Sequence, residues 1–372
     1  MIEHAERLAT SAERELEALV GVSSPSGDRA GAEECVALAS AFMPPEAEIE
    51  RVTCSTADHA PDLVGRLRGS GRRRLMLLGH LDTVIPHEQH RPLEREGDRL
   101  TGSGAVDMKG GVALGLGVMR ELAATPERYA EVAVLLVNDE EWRTAPFAHA
   151  ERFADFDACL CFEAGERTAD GDEAVIVARK AAGTLVVGAH GRSAHSGSAP
   201  HKGRSALLAL ARVAQQVAGA SDPDGPQRLT AVPTVLRSGH AFNVVPPDGE
   251  LICDLRADGL DAFAPLLEAL PEQIDDVRLE TTMLRAWPGM DSRAATAVPL
   301  AAAAAALGRP LVASGRGGAS DASHLAAAGI AVTIDGLGPR GGGAHAPHEW
   351  VSRESLRSRA EVALAVAGAL LE

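Results

Sequence analysis

The chain is poor in cysteine, in long apolar runs and in basic residues, and each shortage excludes a class of protein. Its five cysteines are an odd number without a C-x-x-C pair, so neither a disulfide framework nor a thiolate zinc site is indicated. The Ala-rich stretch at residues 301–307 is far too short to span a bilayer. Basic residues number 36 against 52 acidic ones, and the net charge of -16 disfavours nucleic acid or an anionic membrane as a partner.

From these shortages we expect a soluble, cytoplasmic protein. A reducing compartment fits cysteines without a pairing pattern best. The first residues are charged and have helical periodicity, without the apolar core of a signal peptide. The length of 372 residues predicts two domains, and a hydrophobic content of 45% is enough to fill both cores.

The order of apolar and helical segments predicts an α/β protein with an inserted domain. Between residues 75 and 163, short apolar runs alternate with longer helical stretches, which is typical of a mainly parallel sheet with flanking helices. The middle of the chain follows a βαββαβ-like order instead, which predicts a small α+β domain. We therefore predict a catalytic domain in two parts, residues 1–182 and 289–372, around an inserted domain at residues 183–288.

Metal-binding side chains stand at the downstream end of one predicted strand after another. They are His80, Asp82, Asp107, Glu140, Glu141, Glu163 and, in the returning segment, His345. Residues just beyond the carboxyl ends of strands line the ligand crevice of open α/β sheets, so these groups can converge although they are far apart in sequence. Two imidazoles and several carboxylates in one crevice predict a two-metal site. These ligand types suit zinc, and cobalt or manganese could substitute for it.

Each of these residues also has a plainer interpretation when it is considered alone. His80 could be only a polar strand terminus, and Asp107 could be an N-cap residue. The acidic run at residues 139–141 could be a solvated loop, although repelling charges directly after a buried strand call for a cation. His345, in a glycine-rich loop, could lie on the surface.

The segments around these residues resemble a known family. In order, they are H-L-D-T-V, G-S-G-A-V-D-M-K-G-G, N-D-E-E, C-F-E, G-R-S-A-H-S-G, F-N-V-V-P, G-G-A-S-D-A and G-G-A-H-A-P-H-E-W-V. This series is similar to the co-catalytic di-zinc amidohydrolases, which include acetylornithine deacetylase, succinyl-diaminopimelate desuccinylase, aminoacylase and glutamate carboxypeptidase. The likeness runs from Ser24 to Val351, and its closing segment looks most like the glutamate carboxypeptidase branch. It implies a zinc-exopeptidase-like catalytic domain and a ferredoxin-like lid and dimerisation domain.

The resemblance implies a role for each metal-binding residue. Asp107 would bridge two Zn²⁺ ions. His80 and Glu163 would complete one site, and Glu141 and His345 the other. Asp82 would orient His80, and Glu140 would be the general base and acid.

In the inserted domain the resemblance implies contacts with the substrate and with a second subunit. His195 resembles a histidine that reaches the active site of a partner in a homodimer to stabilise the oxyanion, and Asn243 resembles a substrate-contacting asparagine. Arg256 and Arg285 are candidates to bind a substrate carboxylate, although Arg256 could equally pair with Asp254 in its own strand. The chain departs from the family after its acidic run, where W-R-T replaces a small G-S turn. This departure suggests that a bulky, cationic side chain approaches the pocket wall.

Three functions follow as hypotheses. The first is a metal-dependent hydrolase that uses a metal-bridging hydroxide to cleave the amide bond of an N-acyl amino acid or small peptide with a free carboxylate. Within this class, a glutamate carboxypeptidase-like enzyme is favoured over an N-acetyl or N-succinyl amino acid deacylase. The second is a di- or tripeptide aminopeptidase. The third is a metal-bound carrier or scaffold with a decayed site, for which Glu140 and Asp82 would have little chemical use.

Overall fold

A computed structural model of the protein describes residues 2–372 and divides into two compact units. Among the described residues, the first unit contains residues 2–178, 291–315 and 320–372, and the second contains residues 179–290 and 316–319. The predicted insertion at residues 183–288 falls inside the second unit. Each unit has a hydrophobic core of its own.

The helices alternate with strands along most of the chain. They are α1 (Ile2–Val20), α2 (Arg29–Phe42), α3 (Gly110–Ala123), α4 (Ala150–Phe153), α5 (Ala206–Gly219), α6 (Ala264–Ala269), α7 (Arg293–Leu307), α8 (Ala322–Ala327) and α9 (Arg353–Leu370). Within residues 2–372, no helix is both long and apolar enough to cross a membrane.

The strands are mostly short. They are β1 (Glu48–Val52), β2 (Asp62–Arg68), β3 (Arg74–His80), β4 (Glu94–Glu96), β5 (Arg99–Thr101), β6 (Glu131–Val137), β7 (Ala158–Cys161), β8 (Glu166–Arg167), β9 (Glu173–Arg179), β10 (Ala181–His190), β11 (Thr230–Ser238), β12 (Asp248–Ala257), β13 (Gln273–Ile274), β14 (Val277–Trp287), β15 (Met290–Asp291), β16 (Leu311–Arg316), β17 (Val332–Ile334), β18 (Gly341–Gly342) and β19 (Trp350–Ser352).

A six-stranded sheet forms the centre of the first unit, in the order β1-β2-β6-β3-β7-β17. The pairs β6–β3, β3–β7 and β7–β17 are parallel, whereas β1–β2 and β2–β6 are antiparallel. Every residue of β6 is buried, as expected for a central strand that is covered on both faces. The predicted α/β fold is confirmed, and its sheet is parallel except at the edge that holds β1 and β2.

A smaller sheet in the same unit, ordered β18-β19-β5-β4, is connected to two loops that carry predicted metal ligands. The loop between β18 and β19 contains His345, and the chain that leaves β5 leads to Asp107. Strands β19 and β5 pair antiparallel, with Val351 opposite Leu100. This pairing fixes the starting points of two loops that are far apart in sequence.

The second unit has the inserted α+β fold that the sequence predicts. Its five-stranded sheet is antiparallel throughout, in the order β11-β12-β10-β14-β13, and α5 and α6 complete a βαββαβ order. The order of the four long strands is that of a ferredoxin-like sheet. Leu185, Leu210 and Leu255 belong to the core between its sheet and helices.

Candidate metal centre

The parallel strands β3, β6 and β7 bring their downstream residues to one edge of the sheet. His80 is the last residue of β3 and lies opposite Val137, the last residue of β6. Glu140 and Glu141 follow β6, and Glu163 follows β7. All four side chains belong to the edge where the crevice of such a sheet is expected.

Three of the predicted ligands form the first group that could hold a metal ion. One donor atom each from His80, Asp107 and Glu163 lies within 4.8 Å of the other two. The His80 Nε2 atom is 3.0 Å from Asp107 Oδ1 and 3.8 Å from Glu163 Oε1. His80 ends β3 with only 1% of its surface exposed, so its ring is enclosed beside these acidic side chains.

The second group shares Asp107 with the first. Donor atoms of Asp107, Glu141 and His345 lie within 4.8 Å of one another. The His345 Nε2 atom is 3.1 Å from Asp107 Oδ2 and 3.1 Å from Glu141 Oε2. Each oxygen of Asp107 therefore faces a different histidine, which is the arrangement required of a carboxylate that bridges two cations.

A tight turn places Asp107 between the two histidines. Gly104 has a positive φ of 73°, and residues 105–109 form a π-helical turn that contains a cis Asp107–Met108 peptide bond. Helix α3 begins only at Gly110, and no side chain caps it. Asp107 is therefore not an N-cap. At Gly111 an added Cβ would lie 1.8 Å from the Phe162 carbonyl oxygen, so only glycine lets this turn approach the end of β7.

Glu349 holds the turn from the other side. Its carboxylate accepts hydrogen bonds from the backbone N–H groups of Gly104 (2.9 Å), Val106 (2.7 Å) and Asp107 (2.8 Å). Burial raises the pKa of Glu349 to about 7, although these N–H groups favour its ionised form.

Asp82 connects His80 with the acidic segment. Its Oδ1 atom lies 3.3 Å from His80 Nδ1, and its backbone carbonyl oxygen lies 3.0 Å from the same nitrogen. The backbone N–H groups of Glu140 and Glu141 donate to its two carboxylate oxygens at 3.2 and 3.1 Å. Asp82 is thus placed to fix both an imidazole ring and the loop that carries two acids, as partners of metal ligands commonly do.

The charges of the centre call for a cation. Burial raises the pKa of the Glu140 carboxyl to about 7 and also raises the pKa values of Glu141 and Glu163. Hydrogen bonds to Asp107 and Glu141 raise the pKa of His345 to about 10. Burial opposes ionisation of Asp107, but hydrogen bonds with both histidines outweigh it and lower the pKa.

The centre also holds more acidic than basic side chains. Glu141 Oε1 is buried and has no hydrogen-bond partner among residues 2–372, so it is available as a ligand atom. Divalent cations would supply the missing positive charge, and imidazole with carboxylate is a suitable donor set for zinc. The residues present therefore fit a pair of metal ions.

The acidic segment is not a solvated loop. Asp139, Glu140 and Glu141 are 0%, 8% and 9% exposed. Arg143 is also fully buried, and it donates to Asp139 Oδ1 at 2.9 Å and pairs closely with Asp321. The cation that the sequence suggests at the pocket wall is thus enclosed in an ion-pair network, whereas the neighbouring Trp142 is 67% exposed.

A third cluster with metal-ligand residue types lies beside this network. Cys54, Asp62 and Asp139 have donor atoms within 4.8 Å of one another. The oxygens of Asp139 already accept from Arg143 and from Thr56, whose N–H and hydroxyl lie 2.8 and 2.7 Å away. Asp62 accepts from the Asn138 N–H, and His149 Nε2 lies 2.8 Å from its other oxygen. Both carboxylates of this third cluster therefore have protein partners, and the cluster does not require a cation.

His195, predicted to stabilise the oxyanion, and Asn243, predicted to contact the substrate, lie on adjoining loops of the second unit. The Ser196 N–H, next to His195, donates to the Asn243 carbonyl at 3.0 Å. The Nδ1 atom of His195 accepts from the N–H groups of Gly197 and Ser198 at 3.1 and 3.2 Å. These bonds place the proton of a neutral ring on Nε2, so the exposed imidazole can act as a hydrogen-bond donor.

The two arginine candidates have partners within their own unit. Arg256 makes a two-point ion pair with Asp254, at 3.0 and 2.9 Å, which favours the in-strand pairing that the sequence left open. The Arg285 guanidinium lies 4.1 Å from the centre of the Trp287 ring.

Sequence reasoning missed Glu349, Asp321 and the structural role of Arg143. Glu349 binds backbone groups 242 to 245 positions away, and Arg143 binds an aspartate 178 positions away. In the sequence, these three residues are marked only by their position inside the motifs quoted above or next to them.

Two known proteins are similar to this chain in sequence. It is 28% identical to carboxypeptidase G2 of Pseudomonas sp. over 71% of this chain and 64% of that protein. It is 31% identical to succinyl-diaminopimelate desuccinylase of Halorhodospira halophila over 56% of this chain and 58% of that protein. The chain therefore spans less than two thirds of the length of either relative.

Solved structures share the fold over nearly the whole chain. Aminopeptidase PepT from Bacillus cereus superposes with a TM-score of 0.76 at 20% identity and covers 98% of this chain and 99% of its own. An M20 family metallo-carboxypeptidase from Sulfolobus solfataricus superposes with a TM-score of 0.75 at 14% identity and covers 97% and 99%. The family model for peptidase family M20/M25/M40 matches residues 76–369, and the chain therefore belongs to that family.

Proposed function

We propose that the protein is a di-zinc hydrolase that cleaves the amide bond of an N-acyl amino acid or small peptide with a free C-terminal carboxylate, in the manner of a glutamate carboxypeptidase. The observation that carries this proposal is the sharing of Asp107 between two ligand groups, each with its own histidine and glutamate. The 28% identity to a carboxypeptidase supports the choice of substrate class. Cobalt or manganese would also fit the donor set.

Two bound cations would supply Lewis-acid polarisation of the scissile carbonyl and lower the pKa of water. Within this site Glu140 takes a proton from the attacking water and returns it to the leaving amine. Burial raises the pKa of Glu140 to about 7, which suits a group that must both accept and donate a proton near neutrality. His195 is proposed to donate a hydrogen bond from Nε2 to the developing oxyanion.

Replacing Glu140 with Gln tests the mechanism. We expect turnover to fall by about two to four orders of magnitude, since general acid–base catalysis contributes that much, while zinc content stays unchanged. The matched control is Glu131→Gln. Glu131 is a buried glutamate at the start of β6, at the other end of this strand from Glu140, and it pairs with Arg66 and Arg68. Near-normal activity of Glu140→Gln would refute the assignment.

A free carboxylate on the substrate separates the proposal from its alternatives. An amidated C-terminus should abolish cleavage by a carboxypeptidase or by a deacylase of N-acyl amino acids, but not by an aminopeptidase. The relative named as a desuccinylase supports the deacylase as second candidate. Acyl and peptidyl derivatives of glutamate, aspartate, ornithine, lysine and diaminopimelate would then distinguish the two. Arg285 and Arg256 are the residues proposed to bind the carboxylate, and Arg256 would have to exchange its pair with Asp254 for it.

Residues 183–288, which belong to the second unit, are proposed to form a lid and to join two copies of the chain in a homodimer. His195 would then act in the active site of the partner, and Asn243 would contact the substrate. Full activity of a monomer at high dilution would contradict this arrangement. The five cysteines are all free and buried, which supports the proposal of a cytoplasmic location.

A further inference from the structure

Glu349 connects the two loops that supply the second ligand group. It follows His345 by four residues, and its side chain binds the turn that carries Asp107 through three backbone N–H groups at 2.7–2.9 Å. Its backbone carbonyl also accepts from the Gly102 N–H at 2.9 Å, at the start of the same turn. Glu349 thus binds the Asp107 turn through its side chain and the chain just before that turn through its backbone.

The loop that carries His345 is short and has hydrogen bonds within it, so the position of Glu349 restricts the position of His345. The Ala346 N–H donates to the Gly343 carbonyl at 2.9 Å, and the Glu349 N–H donates to the Ala346 carbonyl at 3.0 Å. Gly343 and His345 both have positive φ angles, of 73° and 63°. A loop closed in this way has little freedom to move its histidine independently of its last residue.

We infer that Glu349 is a positioning residue that sets the metal affinity of the group formed by Asp107, Glu141 and His345. It does so by holding the Asp107 turn against the His345 loop, so that both ligands meet the same cation. The inference rests on the proposed function, because it requires that the group bind a metal. Glu349 itself lies outside the ligand groups and is not expected to contact the cation or the substrate.

The chemistry of the contact requires a carboxylate. Three N–H donors converge on two carboxylate oxygens, one on Oε2 and two on Oε1. A glutamine has nearly the same shape, but its amide would turn an NH₂ group toward at least one of these donors. Glu349→Gln therefore removes an attraction and adds a donor–donor contact without opening a cavity.

Asp98 provides the matched control. It also accepts a backbone N–H, that of Glu354 at 2.8 Å, and the Ser352 hydroxyl at 2.6 Å. Both partners follow Glu349 in the chain and lie outside the loops that carry Asp107 and His345. Asp98→Asn should reproduce any general effect of loosening this part of the unit.

The experiment is a zinc titration of the full chain against a chromophoric chelator, with thermal unfolding of each metal-free variant in parallel. The unaltered protein is expected to bind two equivalents. Glu349→Gln should bind one of them about 10- to 100-fold more weakly, as for other partners of ligand-bearing groups, while Asp98→Asn stays within about threefold. In a His345→Ala background, the further loss caused by Glu349→Gln should be smaller, because the ligand that it positions is already gone.

Three results would overturn the inference. The first is a Glu349→Gln variant with the zinc affinity of the unaltered protein. The second is a change in zinc affinity no larger than that caused by Asp98→Asn. The third is failure of the metal-free variant to fold, which would show that Glu349 is needed for folding itself. If the unaltered protein itself bound no zinc, the proposed function would fail together with the inference. Binding by the unaltered protein with no difference in the variant would overturn the inference alone.

Discussion

Removal of Arg143 is expected to destabilise the first unit strongly. The side chains of Arg143 and Asp139 are 0% exposed, and that of Asp321 is 4% exposed. Removing one partner of a buried ion pair leaves a charge without compensation and costs about 3–5 kcal/mol. For Arg143→Met we expect a loss in this range, moderated by the two hydrogen bonds that Thr56 still gives to Asp139.

Thermal unfolding of the metal-free protein measures this effect. A loss of about 3–5 kcal/mol corresponds to a decrease in Tm of roughly 6–20 °C, since each kcal/mol shifts Tm by roughly 2–4 °C in domains of 150–250 residues. Arg152→Met is the control, because Arg152 pairs with Glu50 at the surface, where the side chains are 38% and 47% exposed. That change should cost less than about 1 kcal/mol.

A second variant separates the charge effect from the loss of packing. Adding Asp321→Asn to Arg143→Met removes one of the two uncompensated carboxylates, so part of the lost Tm should return. If Arg143→Met lowered Tm no more than Arg152→Met, or if the added Asp321→Asn lowered Tm further, the reasoning from buried charge would be wrong.

The other predictions concern the metal centre. Dialysis against a strong chelator should abolish hydrolysis and zinc should restore it, whereas activity that survives complete metal removal would contradict a metal-dependent mechanism. Zinc binding near pH 8 should release protons, measurable by calorimetry in buffers of different ionisation enthalpy, because metal ligation needs a neutral imidazole and the pKa of His345 is raised to about 10. In the metal-free protein the stabilisation from this raised pKa is fully present below about pH 6.5 and is lost as the pH rises through about 10, a decline that His345→Asn should remove. Asp82→Ala should weaken zinc binding about 10- to 100-fold in a competition titration, since Asp82 lies against His80 and holds the N–H groups of Glu140 and Glu141; unchanged affinity would refute its orienting role.

The sequence predicts the fold class and the convergence of the donors because both depend on a simple regularity. Strands such as β6 are continuous apolar runs, and polar residues that follow parallel strands meet at one edge of the sheet. His80, Glu141 and Glu163 lie together for this reason, whereas Asp107 and His345 reach the same place on loops of the smaller antiparallel sheet.

What the sequence could not predict are contacts whose partners carry no local signal. The carboxylate of Glu349 binds backbone N–H groups, which every residue except proline possesses, so no residue type identifies them. At the sheet edge β2 pairs antiparallel with β6 and β1 pairs antiparallel with β2, and the side-chain pattern of these two strands does not indicate either direction. The burial of Arg143 likewise depends on Asp321, which a charge pattern read along the chain does not connect with it.

The division of the first unit into separate stretches has a consequence for the order of events during synthesis. Residues 179–290 are contiguous and have their own core, so that unit can complete most of its structure soon after it leaves the ribosome. The first unit must wait for the last helix, in which Arg353 donates to Glu13 of the first helix at 2.8 Å. Because Glu349, which holds the Asp107 turn, comes even later than His345, neither ligand group is complete until the chain has been made almost to its last helix.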